Sequence, residues 1–241
     1  RVRTLVVIGH RRLVFIGQGP SDYLDALFAK GTETECAELI AAHLAESSHL
    51  FDVIHLEDST DRLPIHTLLF EALKRKRFRG DHFINEYCPR TTLLDTWEST
   101  LASFKIDNRR EIRRRRRNLE KNFTVEYEVI ASEKDAVRGI DEFIAMHQHK
   151  WQNDGHTGVF AASGVGRFHR EVAQLFARRG WLFLAFMKAN ESLAATLYCF
   201  LFRDNLSVYL TGNANQSDVF KFSPGRVLTA FCMEEAVKRG K

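Results

Sequence analysis

The residues best placed for chemistry stand near the end of the chain, where Ser223, Pro224, Gly225, Arg226 and Val227 lead into an apolar stretch. A helix that starts there has first-turn N–H groups without intrahelical partners. Its aligned peptide dipoles add partial positive charge at the same end. Together these bind phosphate. Gly225 has no side chain, so an anion can come close to the backbone. Pro224 gives up an N–H where the loss costs little, and Arg226 adds charge. The same residues also make an ordinary helix start, and spacing alone leaves both readings open.

Tyr209 closes the strand before this loop, and Asp218 and Lys221 lie within the loop. Tyr198, Asn213 and Asn215 fall at the same end. A tyrosine there can protonate a leaving group, or it can pack as an aromatic edge. Asp218 is either a proton acceptor or a solvated loop carboxylate. Arg113, Arg114, Arg115, Arg116 and Arg117 form an unbroken basic run, preceded by Arg109 and Arg110. Five consecutive residues cover every face of a helix, so they cannot all be buried. The run reads either as a site for tRNA, another polyanion or a CoA phosphate, or as an ion-paired solvated face. His147 and His149 are two apart and do not share a helix face, so no metal is expected. Trp151, Asp154 and His156 follow them as candidates for lining an acceptor pocket. Gly17-x-Gly19 and Gly164-x-Gly166 lack the third glycine of a dinucleotide fingerprint.

Positioning these residues takes a mixture of strands and helices. Strands are expected over 2–8, 13–16, 51–56, 82–87 and 124–130, and helices over 33–45, 66–77, 96–122, 134–151 and 164–179. A helical segment is expected to open at Ser21. Residues 181–188, 193–202 and 206–211 then read as an antiparallel meander with tight turns between them, followed by a helix over 226–238.

The 241 residues suffice for two medium domains. The chain is 44% hydrophobic and 27% charged with net charge +4, ordinary for a folded protein and too mild to argue for nucleic acid by itself. No apolar run reaches the roughly 18 residues of a membrane span. Four cysteines without a CxxC pair fit packed thiols in a cytoplasmic setting. The chain opens on Arg1 without a methionine, which suggests a piece of a larger product.

The string LAATLYCFLFRDNLSVYLTGNANQSDVFKFSPGRVLTAFCMEEAVKRG, residues 193–240, resembles the core of CelD-like proteins of the GNAT acyltransferase superfamily. The matching parts are Leu193-Ala194-Ala195, Tyr209-Leu210-Thr211-Gly212 and Ser223-Pro224-Gly225. SDYLDALF at 21–28 and RREIRRRRRNLEK at 109–121 extend the likeness. It implies an α+β fold of two GNAT-like halves, each a mixed, mostly antiparallel sheet flanked by helices. One spans 1–121 with the long basic helix, and the second spans 122–241 and is truncated at its end. It further implies an N-acyltransferase moving an acyl group, first of all acetyl, from acyl-CoA to an amine, linked to polysaccharide or cell-envelope synthesis. Ser223 to Val227 would hold the cofactor, and Tyr209 and Asp218 would serve catalysis. FemAB-like relatives take their acyl group from aminoacyl-tRNA, and a non-catalytic partner protein on the same fold is a third implication.

Overall fold

The structure, a computed structural model, describes residues 10–60, 64–153, 155–214 and 218–240, with the side chains of 64–66 and 150 left aside. The strand expected over 2–8, and the candidates Asp154 and Asn215, lie outside the described residues. The chain divides into two compact units at Cys88/Pro89. That division is upstream of the 121/122 boundary read from the sequence.

In the first unit, β1 (Arg12–Leu13) pairs in parallel with β2 (Val53–Ile54). Helices α1 (Glu33–Glu46) and α2 (Pro64–Arg75) pack through Ala41, Leu69, Ala72 and Leu73. The mostly antiparallel sheet expected of both halves is therefore not what the described residues of this unit form. Two expected elements are absent. No helix opens at Ser21, because Tyr23 takes a left-handed φ of 59°. Residues 82–87 form no strand. They are β-prone, but no described segment offers them a ladder, and Phe83, Ile84 and Tyr87 stay exposed.

The second unit carries the mostly antiparallel sheet. Its strands are β3 (Val125–Ile130), β4 (Leu182–Ala189), β5 (Ser192–Phe202) and β6 (Asn205–Asn213), adjacent in that order and antiparallel throughout. The period-2 alternation of β4 sends Leu182, Leu184 and Phe186 to one face and Phe183, Ala185 and Met187 to the other. The first face is covered by α5 (Glu133–Asn153) and α6 (Val165–Arg178), the second by α7 (Pro224–Lys238).

The single helix expected over 96–122 is two. α3 (Trp97–Ser103) starts with a reciprocal cap, Ser99 N–H to Thr96 Oγ1 at 3.1 Å and Thr96 N–H to Ser99 Oγ at 3.2 Å. It stops at Phe104, which is extended (φ −73°, ψ 154°), after Ser103 Oγ bonds back to the Thr100 carbonyl at 2.7 Å. α4 (Ile106–Asn122) follows and belongs to the second unit. It is held there by the fully buried Leu119 and by Arg116, whose guanidinium reaches Glu234 of α7 at 2.8 Å.

Candidate acyl-transfer site

At the end of β6 the chain runs through a loop into α7. Ser223 adopts the left-handed region (φ 55°, ψ 60°), and its carbonyl accepts the N–H groups of Arg226 (3.0 Å) and Val227 (3.3 Å), which starts the helix. Pro224 occupies the first turn, where its missing N–H is harmless. Val227 is 3% exposed and anchors the turn in the core. Gly225 lies hard against the last residue of β6. A β-carbon there would come within 2.5 Å of Asn213 Oδ1.

Two arginines flank this turn. Arg115 of α4 bonds to Ser223 Oγ and, at 2.6 Å, to Glu111. Arg226 reaches the same Glu111 at 3.1 Å. The Arg115 hydrogen bond holds the Glu111 carboxyl below the usual range, with further help from the nearby arginine charges. A cleft of about 580 Å³ runs between α4 and α7, with Phe104, Ile112, Val227 and Met233 as apolar lining and Arg115 and Arg226 among its polar groups. An anion at the start of α7 would therefore meet two guanidinium groups as well as the Gly225 N–H.

The run of five arginines is split by helix geometry. Arg115 and Arg116 turn inward to Ser223, Glu111, Glu120 and Glu234. Arg113, Arg114 and Arg117 face solvent together with Arg110.

On the opposite face of the sheet, Tyr209 is half-buried among the rings of His169, Tyr198 and Phe200. It occupies a β-bulge. Tyr198 pairs with Leu210 and Cys199 with Val208, which leaves Tyr209 as the extra residue. A bulge allows two successive residues, Tyr209 and Leu210, to pack on one face. Gly212 faces Thr196 across the ladder, and a β-carbon on it would stand 2.6 Å from Thr196 Oγ1 and 3.2 Å from Met146 of α5. The glycine is what lets α5 close on this end of β6.

Asp218 is placed differently, with its side chain 91% exposed and 3.9 Å from Lys221. His147 accepts from Trp151 Nε1 at 3.0 Å, while His149 pairs with Asn153 at 3.1 Å, so the two histidines serve separate local contacts. His156 stacks edge-on against Trp151.

Sequence reading passed over His169 and Thr196. His169 is 2% exposed, and among the described residues neither ring nitrogen has a hydrogen-bond partner. The same is true of Thr196 Oγ1 and Tyr198 Oη. A buried polar group left unsatisfied costs about 1–3 kcal/mol, so several on one wall need a reason. Burial holds the His169 imidazole below its usual range. It pushes the Tyr198 phenol up, with Tyr209 adding to the effect. The available signal was a histidine on the apolar face of a helix, in line with Val165, Ala173 and Phe176.

A family model described as an acetyltransferase (GNAT) domain matches residues 107–241. The chain belongs to this family. No curated protein matches it. The GNAT domain so defined begins within α4 and takes in the whole four-stranded sheet and α5 to α7. Membership supports acyl transfer as the general activity and acyl-CoA as the general ligand. Among the described residues no helix is long and apolar enough to cross a membrane.

Proposed function

We propose that this GNAT domain is an N-acyltransferase that passes an acyl group, first of all acetyl, from acyl-CoA to an amine. The acceptor is linked to polysaccharide or cell-envelope synthesis, as in CelD-like proteins, and the setting is cytoplasmic. The observation that carries the reading is the start of α7, where a glycine is pressed against Asn213 and two arginines meet at Glu111. In this reading the backbone N–H of Gly225 receives the pyrophosphate of acyl-CoA, and the Arg115 and Arg226 side chains neutralise it. Ser223 and Val227 fix the turn, and Pro224 presets its φ. The thioester then lies toward the end of β6, where Tyr209 supplies a proton to the leaving sulfur. Asp218, a solvated loop carboxylate here, receives no step.

Isothermal calorimetry with acetyl-CoA, a longer acyl-CoA and free CoA tests this. All three are expected to bind, because CoA carries the shared pyrophosphate. Binding that survives Arg115→Gln combined with Arg226→Gln at undiminished affinity would remove the site.

A second reading keeps the fold and takes the acyl group from aminoacyl-tRNA. It is favoured by the solvent-facing Arg110, Arg113, Arg114 and Arg117 on one side of α4. It calls for RNA binding that weakens steeply with salt and is lost when these four are replaced by glutamine.

A further inference from the structure

The first unit holds a cavity of about 300 Å³ that the acyl-transfer reading does not use. It is bounded by β2, by one side of α2 and by the residues that follow α2. The ending of α2 builds the third of these walls. Arg77 takes a left-handed φ of 69°, its N–H reaches the Lys74 carbonyl at 2.9 Å, and the Phe78 N–H reaches the Leu73 carbonyl at 3.1 Å. The chain is thereby turned back, so that Phe78, Arg79, Gly80 and Asp81 line the cavity, with the Phe78 ring stacked on Phe51 at 6.4 Å. The floor is apolar. Leu69 and Leu73 are buried there, whereas the rings of Phe51, Phe70 and Phe78 are only half-buried.

The charged residues of the lining divide into engaged and spare. Asp52 is taken by Arg11, through the backbone N–H at 2.9 Å and the guanidinium at 3.3 Å. Lys74 pairs with Glu71 at 3.3 Å and stands 5.2 Å from the centre of the Phe70 ring. Arg79 and Asp81 differ from both. They line one cavity two residues apart, yet among the described residues they pair neither with each other nor with any other charged group. The Asp81 carboxylate accepts the N–H of the adjacent His82 at 2.9 Å, which leaves its charge uncompensated.

We propose that this cavity binds a free apolar α-amino acid, with its side chain on the aromatic floor, its carboxylate at Arg79 and its ammonium at Asp81. The floor sets the apolar body, because a polar one would lose its hydration there without gaining a partner. One spare cation and one spare anion at the same opening set the zwitterion. A carboxylate without the amine would use Arg79 and meet Asp81 as a like charge. A cavity of this volume sits at the lower end of small-molecule sites, which run roughly from 300 to 1,000 Å³. That admits a single amino acid and excludes a coenzyme. The proposal is independent of the acyl-transfer reading, whose residues all belong to the second unit.

The test titrates the full chain with L-phenylalanine, and with 3-phenylpropionate and phenethylamine, which each lack one of its charges. In amide-resolved NMR, L-phenylalanine is expected to shift the Gly80 and Phe78 N–H resonances in a saturable way. The two single-charge probes are expected to bind about fivefold more weakly. No saturable shift at Gly80 overturns the site, and equal binding of either probe overturns the amino-acid class. L-Serine keeps both charges without the apolar body, so binding of L-serine as tight as that of L-phenylalanine overturns the role of the floor. Arg79→Gln is expected to weaken L-phenylalanine about fivefold and leave phenethylamine unchanged. Asp81→Asn is expected to weaken L-phenylalanine by a similar factor and leave 3-phenylpropionate unchanged. Both side chains are exposed, so neither change is expected to move the melting temperature. A variant that binds L-phenylalanine as the wild type does overturns the charge assignment.

Discussion

Asn213 Oδ1 lies 2.5 Å from the point a β-carbon on residue 225 would occupy, which ties the last residue of β6 to the first turn of α7. In an open helix, glycine to alanine gains about 1 kcal/mol. Here the collision opposes that gain, and overpacking of this kind costs about 1–3 kcal/mol. Gly225→Ala is therefore expected to lower the melting temperature instead of raising it, and to weaken acetyl-CoA binding about tenfold or more by calorimetry. Asn213→Ala in the same chain is expected to restore the melting temperature.

The five arginines of α4 should separate under mutation. Arg113→Gln, Arg114→Gln and Arg117→Gln face solvent, and each is expected to change stability by no more than about 0.5 kcal/mol. Arg116→Met leaves Glu234, whose side chain is 17% exposed, with Lys238 at 3.2 Å as a remaining partner, and is expected to cost about 1 kcal/mol in chemical denaturation.

How much of this was readable in advance depended on whether the signal was local. The meander and α7 were legible because strand alternation, turn residues and Ser223-Pro224-Gly225 are short-range features. The break of α3 from α4 was not, since Thr96, Ser99 and Ser103 act through specific hydrogen bonds that periodicity does not register. The absent strand at 82–87 shows the limit of β-propensity without a partner. At the site, Ser223 to Val227 announced themselves by type. His169 did not, because its lack of a hydrogen-bond partner among the described residues is a property of what α6, β5 and β6 enclose together.

Acid should unfold the second unit partly through Glu234. Burial works to raise its pKa, but the hydrogen bonds and charges of Arg116 and Lys238 outweigh that and hold it below 4.5. A carboxylate depressed in the folded state adds stability above its unfolded pKa and loses it as pH falls through the folded value. Glu234→Gln is expected to be less stable than wild type at pH 7 and to show a shallower loss below about pH 4.5 in urea titrations.

His169 contributes in a higher pH window. Its folded pKa lies below 6.5, so the folded state binds the proton less readily than the unfolded chain. The penalty is absent above about pH 6.5 and grows as pH falls toward the folded value. His169→Phe is expected to abolish this part of the decline in melting temperature between pH 7 and pH 5.

The turns of the meander bear on the order in which the chain assembles. Asn190 and Glu191 both take left-handed backbone (φ 49° and 66°), as does Arg203 at the next turn (φ 51°), so β4, β5 and β6 meet through closures of two residues. β3 must instead find β4 across two helices. Closing short loops is fast and entropically cheap, whereas distant pairing waits. The three-stranded hairpin array can thus form as an early nucleus, onto which β3 and its helices condense, and its central amides should be the last to exchange with solvent.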